Sequence, residues 1–145
     1  MSDSVSKETA EILTELIFRF YGACQRHPPT LQGPRIHSHG FHILYLLARA
    51  HEKRLPMSFL LTELQMTKQQ MSKLLNELEE LQFIERVRTG RDRRNVSIRL
   101  TEKGGAYFAA CSSAVSDAIA TGIQKQPAEK TELLHSLLLL LTEGS

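Results

Sequence analysis

Apolar residues recur at Met71, Leu74, Leu75, Leu78 and Leu81, the i, i+3, i+4, i+7 spacing that turns one stripe of a helix toward a core. Thr67 is the predicted N-cap, because its hydroxyl can accept from an orphan backbone N–H of the first turn. At about 100° per residue the opposite face holds Gln69, Lys73, Asn76 and Glu80, with Gln70 and Ser72 on its flanks. The period then falls to two. Phe83-Ile84-Glu85-Arg86-Val87-Arg88 and Asn95-Val96-Ser97-Ile98-Arg99-Leu100 alternate as paired strands do. Residues 89–94 between them read as a turn, with Gly90 able to take a positive φ and Asp92 suited to an Asx-type bond.

The helical period governs the rest of the chain. Ile12, Leu13, Leu16, Ile17, Phe20 and Tyr21 give a broad apolar face to a helix over residues 8–24, which His27-Pro28-Pro29 ends. Phe41, Ile43, Leu44, Leu46 and Leu47 form the core side of a second helix, from Ser38 or His39 to Ala50. A short helix over residues 57–65 follows Pro56, and Met66-Thr67 makes the tight joint to the next. Thr101 is placed to cap a long Ala- and Ser-rich helix, and Pro127 suits the first position of a last one. The fold class these elements predict is mainly α with a small two-stranded β-wing, a winged helix-turn-helix.

The polar face of the helix after Thr67 has the chemistry of base-edge recognition. Gln69 and Asn76 can bond adenine bidentately, Lys73 can reach guanine O6 and N7, and Ser72 can donate or accept. Lys68, at the N-terminal end, suits a phosphate. The hairpin holds Arg86, Arg88, Arg91, Arg93, Arg94 and Arg99 against Glu85 and Asp92. A two-stranded ribbon cannot bury so many guanidiniums, so most are expected to face solvent or a polyanion. A reading helix followed at once by a basic ribbon points to double-stranded DNA. The candidate contacts are Thr67, Lys68, Gln69, Gln70, Ser72, Lys73, Asn76, Arg88, Arg91, Asp92, Arg93 and Arg94.

Composition narrows the class further. A chain of 145 residues suffices for one core, and a net charge of +2 is too small for indiscriminate polyanion binding, so the clustering of arginines matters more than the total. No GxSxG, phosphate-binding loop or dinucleotide glycine pattern occurs, so neither enzyme activity nor a cofactor is expected. No apolar run reaches the roughly 20 residues that span a bilayer, and Ser2-Asp3-Ser4 opens no cationic leader. The two cysteines, Cys24 and Cys111, lack CxxC spacing. A cytoplasmic protein without a membrane partner is expected. Cys24, His27, His37, His39 and His42 gather at the first interhelical joint and are zinc-ligand types, yet His37-Ser38-His39 has no structural-zinc spacing, so no metal site is assigned. Zinc sensing, or redox sensing through Cys24 or Cys111, is an alternative. So is a protein-interaction module that antagonises another regulator, which a depleted basic wing would favour; this wing is full.

Asp92-Arg93-Arg94 followed by Leu100-Thr101-x-x-Gly104 resembles the D-x-R…L-T-x-x-G wing signature of MarR-type regulators. Ser72-Lys73-Leu74-Leu75…Leu78-Glu79 is similar to their recognition helix, which reads S-R…L…L-E. Order and length resemble the family over nearly the whole chain, and the specific motifs lie between Leu55 and Gly104. Two positions depart from the pattern. Gln82 stands where the family has Gly just past the recognition helix, and a non-Gly residue in a left-handed C-cap costs about 1 kcal/mol. Lys73 replaces the usual Arg, keeping charge but losing the bidentate fork.

The chain's end predicts a partner. Leu137 to Leu141 are consecutive leucines and so cover every side of a helix. Burying each is worth about 1.5–3 kcal/mol, and a small domain cannot bury all sides of its terminal helix alone. MarR-like proteins pair through their N- and C-terminal helices. The resemblance therefore implies a single MarR-type domain over residues 1–145, with dimerisation helices at 5–26 and 101–142 and a DNA-binding region at 38–100. It also implies a ligand-responsive repressor that binds a pseudo-palindromic operator as a homodimer. A small aromatic effector would lie near Tyr21, His37, Phe41 and Tyr45, with Tyr107 close by.

Overall fold

In the computed structural model the first complete helix is α1 (His39–Arg49), followed by a 3₁₀ turn (His51–Lys53) and β1 (Arg54–Pro56). Then come α2 (Met57–Leu64), α3 (Lys68–Glu80), β2 (Ile84–Arg88), β3 (Val96–Leu100) and α4 (Glu102–Ile123). The structure describes residues 32–88, 90 and 95–123. It also describes positions 7, 8, 10, 11, 14, 15, 17–19, 21 and 22, and positions 128, 129, 132, 135, 136 and 139. All the described positions outside 32–123 are helical. The chain divides into two compact units, Met1–Phe108 and Ala109–Ser145. The expected stop at His27-Pro28-Pro29, the start of the last helix at Pro127, and Leu137, Leu138, Leu140 and Leu141 lie outside the described residues.

Ser38 opens α1 by accepting from the Phe41 N–H at 3.2 Å, while its own hydroxyl donates to the Arg35 carbonyl at 2.6 Å. This cap fixes which face of α1 turns inward, and Phe41, Ile43, Leu44 and Leu47 are buried there. Leu60 from α2 joins them, with Met71, Leu75 and Leu78 from α3 and Ile84, Ile98 and Leu100 from the strands. The stripe read from the sequence of α3 is therefore the one the core uses, with Leu74 and Leu81 half-buried at its border.

The two expected strands pair antiparallel, Ile84 opposite Leu100 and Arg88 opposite Val96. The expected two-stranded wing gains a third strand. β1 pairs antiparallel with β3, Leu55 opposite Ile98, giving the order β1-β3-β2. Pro56 sits at the end of this edge strand, where a proline is tolerated, and it leads directly into α2. At the hairpin turn Gly90 has φ +80° and open space where a Cβ would be, so its role there is conformational.

Both helices of the helix-turn-helix end on a glutamine in the left-handed region, Gln65 at φ 50° and Gln82 at φ 62°. After α3 the Phe83 N–H reaches the Leu78 carbonyl at 3.0 Å and the Gln82 N–H reaches Glu79 at 2.9 Å, a Schellman closure. The helix thus exits as a glycine would let it, with Gln82 held in the strained conformation by those bonds. Gln82→Gly is expected to raise stability by about 0.5–1 kcal/mol, the left-handed strain relieved less the added freedom of the unfolded chain. Chemical denaturation checks this; an unchanged or lower midpoint counts against strain at this joint.

The next joint explains Leu100-Thr101-x-x-Gly104. Thr101 donates its N–H to the Phe83 carbonyl at 3.0 Å and its hydroxyl to the Gln82 carbonyl at 2.6 Å. The same hydroxyl accepts from the Gly104 N–H at 3.0 Å, which caps α4. Gly104 lies so near this corner that a Cβ would stand 2.1 Å from the Phe83 oxygen. Tyr107, one turn on, stacks on Phe83 at 4.7 Å and donates to the Pro34 carbonyl at 2.8 Å, which makes it a core residue.

Candidate nucleic-acid interface

The start of α3 is built by a reciprocal cap. The Thr67 hydroxyl accepts from the Gln70 N–H at 3.2 Å, and Gln70 Oε1 accepts from the Thr67 N–H at 3.0 Å. Two orphan donors of the helix start are thereby satisfied. Thr67 and Gln70 are exposed, as the base-reading expectation requires, but the bonding capacity of both is partly spent on the helix start. The spacing Thr-x-x-Gln was the sequence signal for this role.

Lys68, Gln69, Ser72, Lys73 and Asn76 are all exposed on α3. Among the described residues no hydrogen bond engages the side chains of Lys68, Gln69, Ser72 or Lys73. The helix is electrically asymmetric. Its first turn holds no acid and its partial positive end points outward with Lys68 and Lys73 nearby, while Glu77, Glu79 and Glu80 gather in the last turns. A polyanion is attracted to the N-terminal end and repelled by the acids of the last turn, so Glu80 stands apart from the surface that Gln69 and Lys73 form.

The hairpin arginines divide into groups. Arg86 binds back on α3. Its Nη1 donates to Glu79 Oε2 at 2.7 Å, and its Nη2 donates to Asn76 Oδ1 at 2.9 Å and to the Ser72 carbonyl at 3.3 Å. Arg99 is also paired, to Glu85 across the β2–β3 register, with its Nε 2.8 Å from the carboxylate. Arg88 is exposed at the end of β2. Arg91, Asp92, Arg93 and Arg94 lie outside the described residues. Sequence reading missed Arg86 as the residue that ties the wing to the helix. The bond depends on strand register, which local pattern does not reveal, although Glu79 and Arg86 of opposite charge flanking one turn were a hint.

A second region gathers the residues considered for an effector. Ile36, His37, Ser38, His39, Phe41, His42 and Tyr45 line an open groove of about 470 Å³. Tyr21 meets His37 edge-on at 5.4 Å, so His37, Phe41 and Tyr45 share one groove and Tyr21 borders it through His37. Phe108 packs against Phe41 at 5.4 Å and Tyr45 at 6.2 Å. His37 Nδ1 is buried and has no hydrogen-bond partner among the described residues. Among the described residues no group of three or more His, Cys, Asp or Glu is arranged to hold a metal ion. Cys24 and His27 lie outside the described residues, and Cys111 is a buried free thiol. No helix among the described residues is long and apolar enough to cross a membrane.

A search of curated proteins found no match. Among solved structures the chain is similar to FabT of Streptococcus pneumoniae in complex with DNA, at 24% identity over 93% of this chain and 95% of that one, with a TM-score of 0.70. The S. aureus MepR–DNA complex is similar at 22% identity over 90% and 97%, TM-score 0.63. The transcriptional regulator BldR from Sulfolobus solfataricus is similar at 19% identity over 94% and 96%, TM-score 0.64. The sequence model of the MarR family matches residues 40–95, from α1 through the wing turn. Over this winged helix-turn-helix segment the chain is similar to the MarR family.

Proposed function

We propose that the protein is a sequence-specific DNA-binding regulator of transcription, acting in the cytoplasm as a homodimer. The observation that supports this most is the N-terminal half of α3. It exposes Lys68, Gln69, Ser72 and Lys73 on a helix whose acids are all held at its other end. Recognition helices present their N-terminal residues to the major groove, and these side chains match base edges and phosphates. The FabT and MepR complexes with DNA agree with that use of the fold.

A dimer gives the arrangement its specificity. Ile17, Phe18 and Tyr21 are 58%, 69% and 51% exposed in the single chain, and Leu139 is 45% exposed. Apolar surface of this kind is what a second copy covers. Two α3 helices related by a two-fold axis then read half-sites about one helical turn apart. In this reading Arg88 and one of Arg91, Arg93 or Arg94 engage the backbone or the adjacent minor groove, with Asp92 orienting the guanidinium. Bound across a promoter, the dimer represses. A small aromatic effector in the groove at His37, Phe41 and Tyr45 changes the spacing of the two reading heads.

Salt dependence tests the DNA contacts. With about 3–4 phosphates neutralised per protomer, log K falls against log[salt] with a slope of about −5 to −7. Arg94→Ala is expected to flatten that slope by about one unit for each protomer's contact and to weaken all sequences alike. Titration of a selected DNA duplex at several salt concentrations measures both. An unchanged slope in the variant removes Arg94 from the interface, and a nearly flat slope in the native protein contradicts phosphate binding altogether.

A further inference from the structure

We infer that Arg86 sets the base preference of Asn76, leaving it a donor-only reader that favours guanine over adenine. This rests on the DNA-reading function proposed above. The bond from Arg86 Nη2 to Asn76 has only one chemical solution. A guanidinium offers N–H donors and no acceptor, so the amide must turn its oxygen toward it, here at 2.9 Å. Arg86 is itself fixed by Glu79 Oε2 at 2.7 Å and the Ser72 carbonyl at 3.3 Å, and its side chain is 27% exposed. Ser72, Asn76 and Glu79 follow the i, i+4, i+7 spacing of one helical stripe, so a single strand residue grips two turns of α3. The strand end of the clamp is set by the sheet, with Arg86 opposite Ile98.

Among the described residues the NH₂ group of Asn76 has no hydrogen-bond partner. An asparagine reads adenine by accepting from N6 while donating to N7, and that requires the oxygen. With the oxygen held by Arg86, an adenine N6–H would approach an acceptor already occupied, next to a positive charge. Guanine instead presents O6 and N7, two acceptors matched to the two amide N–H donors. Arg86 is thus a positioning residue. It touches no base, and it decides which base its neighbour accepts.

The test is selection of preferred sites from random DNA by the full-length protein, followed by affinity measurement on duplexes altered one base pair at a time. The position read by Asn76 is the one whose preference disappears in Asn76→Ala. The native protein is expected to favour guanine over adenine there by about five- to tenfold. Arg86→Met frees the oxygen and should move the preference at that position to adenine. Asn76→Asp keeps an acceptor for Arg86 and removes the donors, so it should move the preference to cytosine, whose N4 donates. Asn76→Asp alone decides the matter if thermal unfolding shows Arg86→Met to be unfolded. An adenine preference in the native protein, or a guanine preference that survives Arg86→Met or Asn76→Asp, overturns the inference while the DNA-reading function stands. Failure of the folded native protein to select any site overturns that function, and the inference with it.

Discussion

Gly104→Ala is expected to destabilise the protein by about 3 kcal/mol, the upper end of what overpacking costs. The added Cβ would stand 2.1 Å from the Phe83 oxygen, 2.8 Å from its carbonyl carbon and 2.9 Å from Leu100 Cδ1. A flexible side chain could rotate away, but the obstacle here is backbone. That carbonyl accepts the Thr101 N–H, and the Phe83 ring is buried and stacked on Tyr107. Moving it opens the corner where α3, β2 and α4 meet. For a chain of this size the loss corresponds to a melting temperature lower by roughly 10 °C. The adjacent Gly105 is the control. A Cβ there meets only Leu100 Cδ2, at an ordinary 3.7 Å, and the position lies within α4. Gly105→Ala should therefore stabilise by about 0.5–1 kcal/mol through helix propensity. Melting curves at one protein concentration, since any change of association state shifts apparent stability, separate the two. Equal effects from the two alanines would refute the backbone contact as the reason for Gly104.

Gln69→Ala combined with Lys73→Ala is expected to weaken binding to a preferred DNA site by at least about 100-fold. Each base contact is worth about 1–3 kcal/mol, and a dimer repeats it in both half-sites. Both side chains are exposed and outside every hydrogen bond among the described residues, so the fold should be untouched. Binding to unrelated DNA should fall much less, by the lost lysine charge alone. Fluorescence anisotropy with the preferred duplex and a shuffled one distinguishes these losses. An equal fall on both would make these residues phosphate contacts and move base reading elsewhere on α3.

Much of the fold was legible because the informative patterns are local. Thr67 and the stripe Met71, Leu75, Leu78 specify α3 within a few turns, and the period-2 runs specify the hairpin. β1 left no such trace. Arg54-Leu55-Pro56 is too short to show a period, and it becomes a strand only because Leu55 meets Ile98 far along the chain. Arg86 was hidden for the same reason. In sequence it is one basic residue among many, and its partnership with Ser72, Asn76 and Glu79 exists only once β2 is seated beside α3. Gln70 shows the opposite case, since the Thr-x-x-Gln spacing that marks its capping role is visible in the sequence. Gly104 was legible as a motif position but not as a reason, which lies in the approach of its Cα to the Phe83 carbonyl. Gln82 shows that a missing family glycine need not change the path of the chain, since the Schellman bonds hold a glutamine in the same conformation.

The central claim is that the exposed face of α3 reads a particular DNA sequence. The most direct measurement is the affinity of the purified, folded protein for its selected site relative to a shuffled duplex of equal length and composition, at physiological salt. The expected ratio is about 10³ or more, the range of sequence-specific regulators. A ratio near one would contradict it and would leave the winged helix as a surface for binding another protein.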